Sequence, residues 1–382
     1  MMETTPFKIR WTGAALDRLR ERLGAFTFPR APEGEDGWRY GCDPDFLSAL
    51  RDHWVEGFDA EAAAAELNRY PQIMARVENI DIHAVHVVGE AGGRRPLLLT
   101  HGWPGSVYEF WQVIGPLAFP SRYGGTAEDA FDLVIPSLPG FGFSGKPRSP
   151  IGPRTTARLF DALMRGLGYG RYRAQGGDWG AGVSAWLALD YPGSVKAIHL
   201  NYLLTQPDAE PGTPEEKAWK AAFDANQQKL GAYAQLQGTK PQSLAYAMQA
   251  NPLAQAAWIV ERFHDWSDHR DRPFQAIFSR DQLLTNIMIY VMNDAFTTAA
   301  WYYAGAQAEN VRKIPPGRRV QVPTAIAAYP DPRSPFPPRS WVERGYAVNR
   351  WIDQPKGGHF AAMEVPTAFI ADIREWGRET DA

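Results

Sequence analysis

The chain has 382 residues, 45% hydrophobic and 13% aromatic, which is ample material for a large buried core. Its 40 Lys and Arg against 43 Asp and Glu leave a net charge of −3, so it carries no basic footprint for nucleic acid or an anionic membrane surface. The single cysteine, Cys42, excludes an internal disulfide and a cysteine-built zinc site.

No apolar run in the first ten residues resembles a signal peptide. The longest stretch without charge, residues 241–260, is interrupted by Gln242, Asn251, Pro252 and Gln255, so no membrane anchor is expected. A globular, cytoplasmic protein is the expectation. In chain order, Ala15, Leu16, Leu19 and Leu23 recur at helical spacing within residues 12–26. Asp43 or Asp45 can cap a second helix running to Trp54, and Asp59 a third running to Leu67. Residues 73–77 and 80–88 read as strands joined by a Glu78-Asn79 turn. From Pro96 onward, short apolar runs alternate with helical segments: 96–100, 131–136, 172–175, 195–200, 320–328 and 348–353. Strands buried on both faces read this way, which predicts an α/β fold with a parallel sheet. Residues 201–316 are helical throughout and predict a cap over the carboxyl edge of the sheet, where open α/β folds bind ligands. The expected divisions are 1–90, 91–200, 201–316 and 317–382.

Three short motifs carry chemistry. Gly176-Gly177-Asp178-Trp179-Gly180 follows a strand and opens a helix, with the small-x-nucleophile-x-small spacing of a nucleophile elbow. Aspartate at its centre suits displacement at a saturated carbon, with formation of an alkyl ester. The plain alternative is a glycine-rich turn with a capping aspartate. His101-Gly102-Trp103-Pro104-Gly105-Ser106 ends an earlier strand, so the Trp103 and Trp179 amides are the candidate oxyanion hole. His101 itself reads as a hydrogen-bonding residue that shapes the turn. Gly357-Gly358-His359-Phe360 follows the last strand, where a base would complete the chain order nucleophile, acid, histidine. His83 and His86 fall on opposite strand faces, and His264 and His269 beside Asp265 and Asp268 read as a solvated lid surface; no metal set is expected.

Together these segments resemble the microsomal-type and juvenile-hormone epoxide hydrolases, in the form of a soluble member of the family. The resemblance runs from Pro6-Phe7-Lys8-Ile9 and Asp81-Ile82-His83-Ala84-Val85-His86 through the three motifs. It also takes in Trp258-Ile259-Val260-Glu261-Arg262-Phe263 and Leu283-Leu284-Thr285-Asn286 in the cap, and ends at Ala361-Ala362. It implies an α/β-hydrolase sheet with a helical cap and an N-terminal extension. It further implies Asp178 as nucleophile, His359 as base, and Tyr233 and Tyr303 as donors to the epoxide oxygen, with Tyr302 the alternative to Tyr303. The family's acid falls opposite Pro332 without a gap; a one-residue shift gives Asp331, with Glu343 and Asp353 as distant substitutes. The implied activity is hydrolysis of a small apolar epoxide to a vicinal diol, without cofactor. A haloalkane dehalogenase would share the elbow and the histidine but needs a halide cradle. A non-catalytic binding protein on the same scaffold would lack a working acid.

Overall fold

The computed structural model describes residues 2–33, 37–93 and 95–381. Among them runs one nine-stranded sheet in the order β1-β2-β3-β5-β4-β6-β7-β8-β9. The N-terminal segment supplies β1 (Thr4–Pro6), β2 (Gln72–Val77) and β3 (Ile80–Val87), all antiparallel to their neighbours. From β4 (Pro96–Thr100) to β9 (Tyr346–Asp353) the sheet is parallel, through β5 (Asp132–Pro136), β6 (Tyr172–Gly176), β7 (Val195–Leu200) and β8 (Val320–Ala328). Every residue of β4, β5 and β6 is buried, which explains why they read as continuous runs and not as alternations. β1 escaped the sequence reading because its three residues are exposed and carry no hydrophobic period.

Among the described residues between β1 and β2 lie the helices α1 (Gly13–Gly24), α2 (Pro44–Glu56) and α3 (Ala60–Leu67). Leu16, Leu19 and Leu23 form the buried face of α1. The caps are Asp43, which accepts from the Phe46 amide, and Asp59, which accepts from the Ala62 amide. In the core, α4 (Trp111–Ala118) follows β4, α5 (Pro153–Gly166) precedes β6, and α6 (Asp178–Asp190) leaves it.

The cap comprises α7 (Pro214–Leu230), α8 (Ala232–Thr239), α9 (Pro241–Met248), α10 (Pro252–Trp266), α11 (Arg280–Val291) and α12 (Phe296–Ala308). Thr213 with Glu216 and Ser279 with Gln282 make capping boxes at α7 and α11. Glu216, fully buried, also binds Arg344 at 2.6 Å and Ser340 at 2.9 Å, fastening the cap to the core beside β9. Near the C-terminus, α13 (Ala361–Glu364) follows the histidine loop and α14 (Pro366–Glu379) packs on the sheet. No described helix is long and apolar enough to cross a membrane.

One surface expectation is corrected. The segment carrying His264, Asp265, Asp268 and His269 is solvated only in part: His269 is exposed, His264 and Asp265 are half-buried and Asp268 is buried. His264 stacks on Trp38 at 3.9 Å between ring centroids, and the buried Asp268 accepts the Gly357 amide at 3.0 Å and pairs with Arg270. It joins the end of α10 to the loop that carries His359. Among the described residues no group of three or more His, Cys, Asp or Glu is arranged to hold a metal ion.

Candidate active site

The elbow is dictated by close backbone approach. A Cβ on Gly180 would lie 1.9 Å from the Thr100 carbonyl oxygen, and one on Gly176 would lie 2.1 Å from the Gly180 carbonyl carbon. Only glycines let β6 turn into α6 this tightly. At the tip Asp178 has φ +44°, a left-handed conformation that costs a non-glycine residue roughly 1–3 kcal/mol and is held by the surrounding packing. The turn aims the carboxylate at the preceding motif. Gly102 lies against it, since a Cβ there would meet the Asp178 Cβ at 2.4 Å.

The two Asp178 oxygens have separate partners. Oδ1 accepts the Trp103 amide at 2.9 Å, and Oδ2 stands 3.3 Å from His359 Nε2. The second contact is an ion-pair distance without hydrogen-bond alignment. On the far side of the imidazole, His359 Nδ1 meets Asp331 Oδ2 at 2.7 Å. Asp178, His359 and Asp331 are each at most 7% exposed. The one-residue shift that selects Asp331 therefore corresponds to a direct contact with His359. Glu343 is tied to Arg339 and Asp353 to the Trp351 indole, both in exposed positions and neither in contact with the imidazole.

Electrostatics follow from this layout. Burial works to raise the Asp178 carboxyl, but the contact and charge of His359 overcome it, helped by Arg333 and the Trp103 amide. The group ends below its ordinary value and ionised. Burial would equally discharge His359; Asp331 and Asp178, one at each nitrogen, outweigh that and push it up to about 10. The resting pair is therefore carboxylate and imidazolium. His101 behaves differently: burial lowers it to about 4, its Nδ1 lies 2.9 Å from the Gly102 carbonyl, and its Nε2 accepts the Leu138 amide at 3.1 Å. A neutral imidazole that donates from Nδ1 and accepts at Nε2 shapes the turn, in line with the sequence reading.

The cap closes the site with aromatic rings. Tyr233 on α8 stacks on Trp103 at 5.2 Å between centroids, and Tyr303 on α12 meets the edge of Trp179 at 4.7 Å. Both are buried, and their rings contact each other at 5.8 Å. The Tyr303 hydroxyl has no aligned hydrogen-bond partner among the described residues. The neighbouring Tyr302 hydroxyl is spent on Thr156 at 2.8 Å, so the two adjacent tyrosines face different surroundings. The cap motif around Asn286 has a clear job. Ser106 donates to Asn286 Oδ1 at 2.8 Å, Asn286 Nδ2 donates to the Pro104 carbonyl at 2.9 Å, and Tyr290 donates to the Gly105 carbonyl at 2.7 Å. Helix α11 thus holds the loop that presents the Trp103 amide.

Two residues beside the site escaped the sequence reading. Glu364 accepts the amides of Gly358 at 2.9 Å and Phe360 at 2.8 Å, which flank His359, and that of Asp268 at 2.7 Å. Its only signal was its place shortly after the Gly-Gly-His loop. Arg333, two residues past Asp331 and 4% exposed, donates to the hydroxyls of Tyr233 at 2.7 Å and Tyr202 at 2.9 Å. Its position in a proline-rich loop gave no hint of burial.

Known proteins bear on this geometry at three levels. The model for the epoxide hydrolase N terminus matches residues 4–110, and that for the alpha/beta hydrolase fold matches residues 95–377. A Stigmatella aurantiaca protein is 39% identical over 99% of this chain and 86% of its own length. Epoxide hydrolase 1 of Sus scrofa is 32% identical, covering 97% of this chain and 88% of the relative. Among solved structures, the juvenile hormone epoxide hydrolase of Bombyx mori superposes with a TM-score of 0.87 at 26% identity, over 100% of this chain and 96% of that one. The epoxide hydrolase of Aspergillus niger gives 0.84 at 28% identity, over 99% and 97%. The chain belongs to the epoxide hydrolases that join an N-terminal epoxide hydrolase segment to an alpha/beta hydrolase fold.

Proposed function

We propose that the protein hydrolyses a small apolar epoxide to a vicinal diol through an ester on Asp178. The observation that carries the reading is an ionised, buried carboxylate set between a backbone amide and an imidazolium, with two cap phenols packed on the adjoining Trp103 and Trp179 rings. Asp178 attacks a ring carbon as Tyr233 and Tyr303 hydrogen-bond the departing oxygen. Charge developing there in a water-poor pocket would otherwise be costly. The ester removes the negative charge from Asp178, and with it one of the two carboxylates that keep His359 protonated. The imidazolium can then pass its proton, by way of the phenols, to the opened oxygen, which becomes the hydroxyl of the ester, and the neutral imidazole serves as base, oriented by Asp331. Water attacks the ester carbonyl, the Trp103 and Trp179 amides hold the oxyanion, and the diol leaves as Asp178 and the imidazolium reform.

The rings of Trp103, Trp179 and Trp266 around the site support an apolar substrate, and the chemistry asks for no cofactor. The composition, with its single cysteine, supports action in the cytoplasm. The direct test incubates the protein with an aryl epoxide and, separately, with a bromoalkane. Diol from the first without halide from the second is the expected result. Halide release without diol would move the assignment to dehalogenation, and neither product would reduce the chain to a binding protein.

A further inference from the structure

The two cap phenols are not equivalent, and the difference originates outside the cap. Asp331 Oδ1 accepts the backbone amides of Arg333 at 2.8 Å and Ser334 at 3.3 Å, folding the segment after β8 into a tight turn. That turn sends the Asp331 side chain to His359 and the Arg333 side chain to the hydroxyls of Tyr233 and Tyr202. The guanidinium lies 4.7 Å from the Trp266 ring centroid and makes no ion pair among the described residues. Its hydrogen bonds go to Tyr202 and Tyr233, while Nε is buried without a partner. At rest the Asp178 and Asp331 carboxylates help offset the burial of this cation, and esterification of Asp178 removes one of them, so the site then favours new negative charge beside Arg333.

Epoxide opening creates such a charge. Because Tyr233 accepts from Arg333, its own O–H remains available to donate elsewhere. Tyr303 has no bond to Arg333. We infer that Arg333 is a positioning residue that makes Tyr233 the proton-transferring member of the pair, while Tyr303 serves as a neutral hydrogen-bond donor. In the balanced step, the carbon–oxygen bond of the epoxide breaks as the Asp178 ester bond forms. The ring oxygen takes the Tyr233 proton, and the phenolate left behind is paired with Arg333. The His359 proton restores Tyr233, which leaves His359 neutral for the hydrolytic step. Burial raises both phenols: Tyr233 to about 12 against the pull of Arg333, and Tyr303 well above its ordinary value, with Tyr233 and Asp178 adding to burial and Arg333 opposing it. The charged and titratable groups facing Tyr233 are Arg333 from the β8 turn, Arg262 on α10, whose Cζ is 5.1 Å from the ring centroid, Asp178, Tyr202 and Tyr303.

This inference rests on the proposed role of Tyr233, so the test separates the two. Alkylation by an epoxide is followed in a single turnover of the full chain by quenched intact mass, alongside the ultraviolet difference signal of tyrosinate. Arg333→Met should slow alkylation by roughly 10–100-fold and erase the transient tyrosinate signal, with hydrolysis of the formed ester little changed. Arg333→Lys should recover part of both. Tyr303→Phe should keep the signal, and Tyr233→Phe should abolish it. Wild-type alkylation rate and signal in Arg333→Met, with Tyr233→Phe impaired, would overturn the inference and leave the phenol roles standing. A wild-type alkylation rate in Tyr233→Phe would overturn both. If Arg333→Met does not fold, the wild-type signal decides: its loss in Tyr303→Phe and survival in Tyr233→Phe would refute the asymmetry.

Discussion

The sheet side and the cap side of the site hold their reactive groups by different means. On the sheet side, Asp178 is fixed by its own backbone, a φ of +44° between glycines with no room for a Cβ, and meets an amide from the adjacent strand end. On the cap side, Tyr233 and Tyr303 sit on ordinary helices and are oriented by ring packing and, for Tyr233, by an arginine from a distant turn. The setting of Asp178 is thus a local construction and that of the two phenols a tertiary one. Damage to the sheet side should stop the chemistry at a defined step, whereas damage to the cap side should slow it by degrees.

The largest expected effect is on the sheet side. His359→Gln should still open the epoxide but lose turnover by on the order of 10⁴-fold or more, accumulating an alkylated enzyme visible by intact mass. Asp331→Asn should show the same stalled ester with a smaller loss, on the order of 10²–10⁴-fold. Rapid turnover in either variant would show that the imidazole and its carboxylate partner do not drive hydrolysis.

On the cap side, each Tyr→Phe change at 233 or 303 should slow alkylation by roughly 10–10³-fold, or about 1.4–4 kcal/mol of barrier. The double change should nearly abolish alkylation while leaving ester hydrolysis intact. Stopped-flow tryptophan fluorescence resolves the two steps, and an unimpaired double variant would reduce these tyrosines to packing residues.

The smallest effect sharpens the electrostatic link between the halves of the triad. Nuclear magnetic resonance of the His359 imidazole should show it charged well above ordinary histidine pH, raised toward about 10. Asp178→Asn, which mimics the loss of charge in the ester, should lower that value. The sign for folding follows: because the folded value is raised, the stability from this cation is fully present below the unfolded value of about 6.5 and is lost as pH rises through the folded one. An imidazole that titrates identically in Asp178→Asn would show that the nucleophile's charge does not control the base.

The same contrast explains what the sequence could reveal. Strands β4 to β7 are visible because burial on both faces writes them as short apolar runs, and the elbow because its glycines are required within five consecutive residues. Tyr233 and Tyr303 have no such local signature and emerge only through the family resemblance. Arg333 and Glu364 act through contacts with residues distant in sequence or through backbone amides, which no spacing rule encodes. The His264 segment is read correctly at the exposed His269 but not at His264 and Asp268, because their charges suggest solvent while the Trp38 ring and the Gly357 loop that meet them lie far away in the chain.

The central claim, that Asp178 forms the ester, is tested most directly by one turnover in ¹⁸O-water with enzyme in excess over epoxide. Covalent catalysis predicts that the heavy oxygen appears in the Asp178 carboxylate, located by peptide mass spectrometry, while the first diol carries unlabelled oxygen from the protein. Label in that first diol, with none in Asp178, would contradict the account and make water the nucleophile.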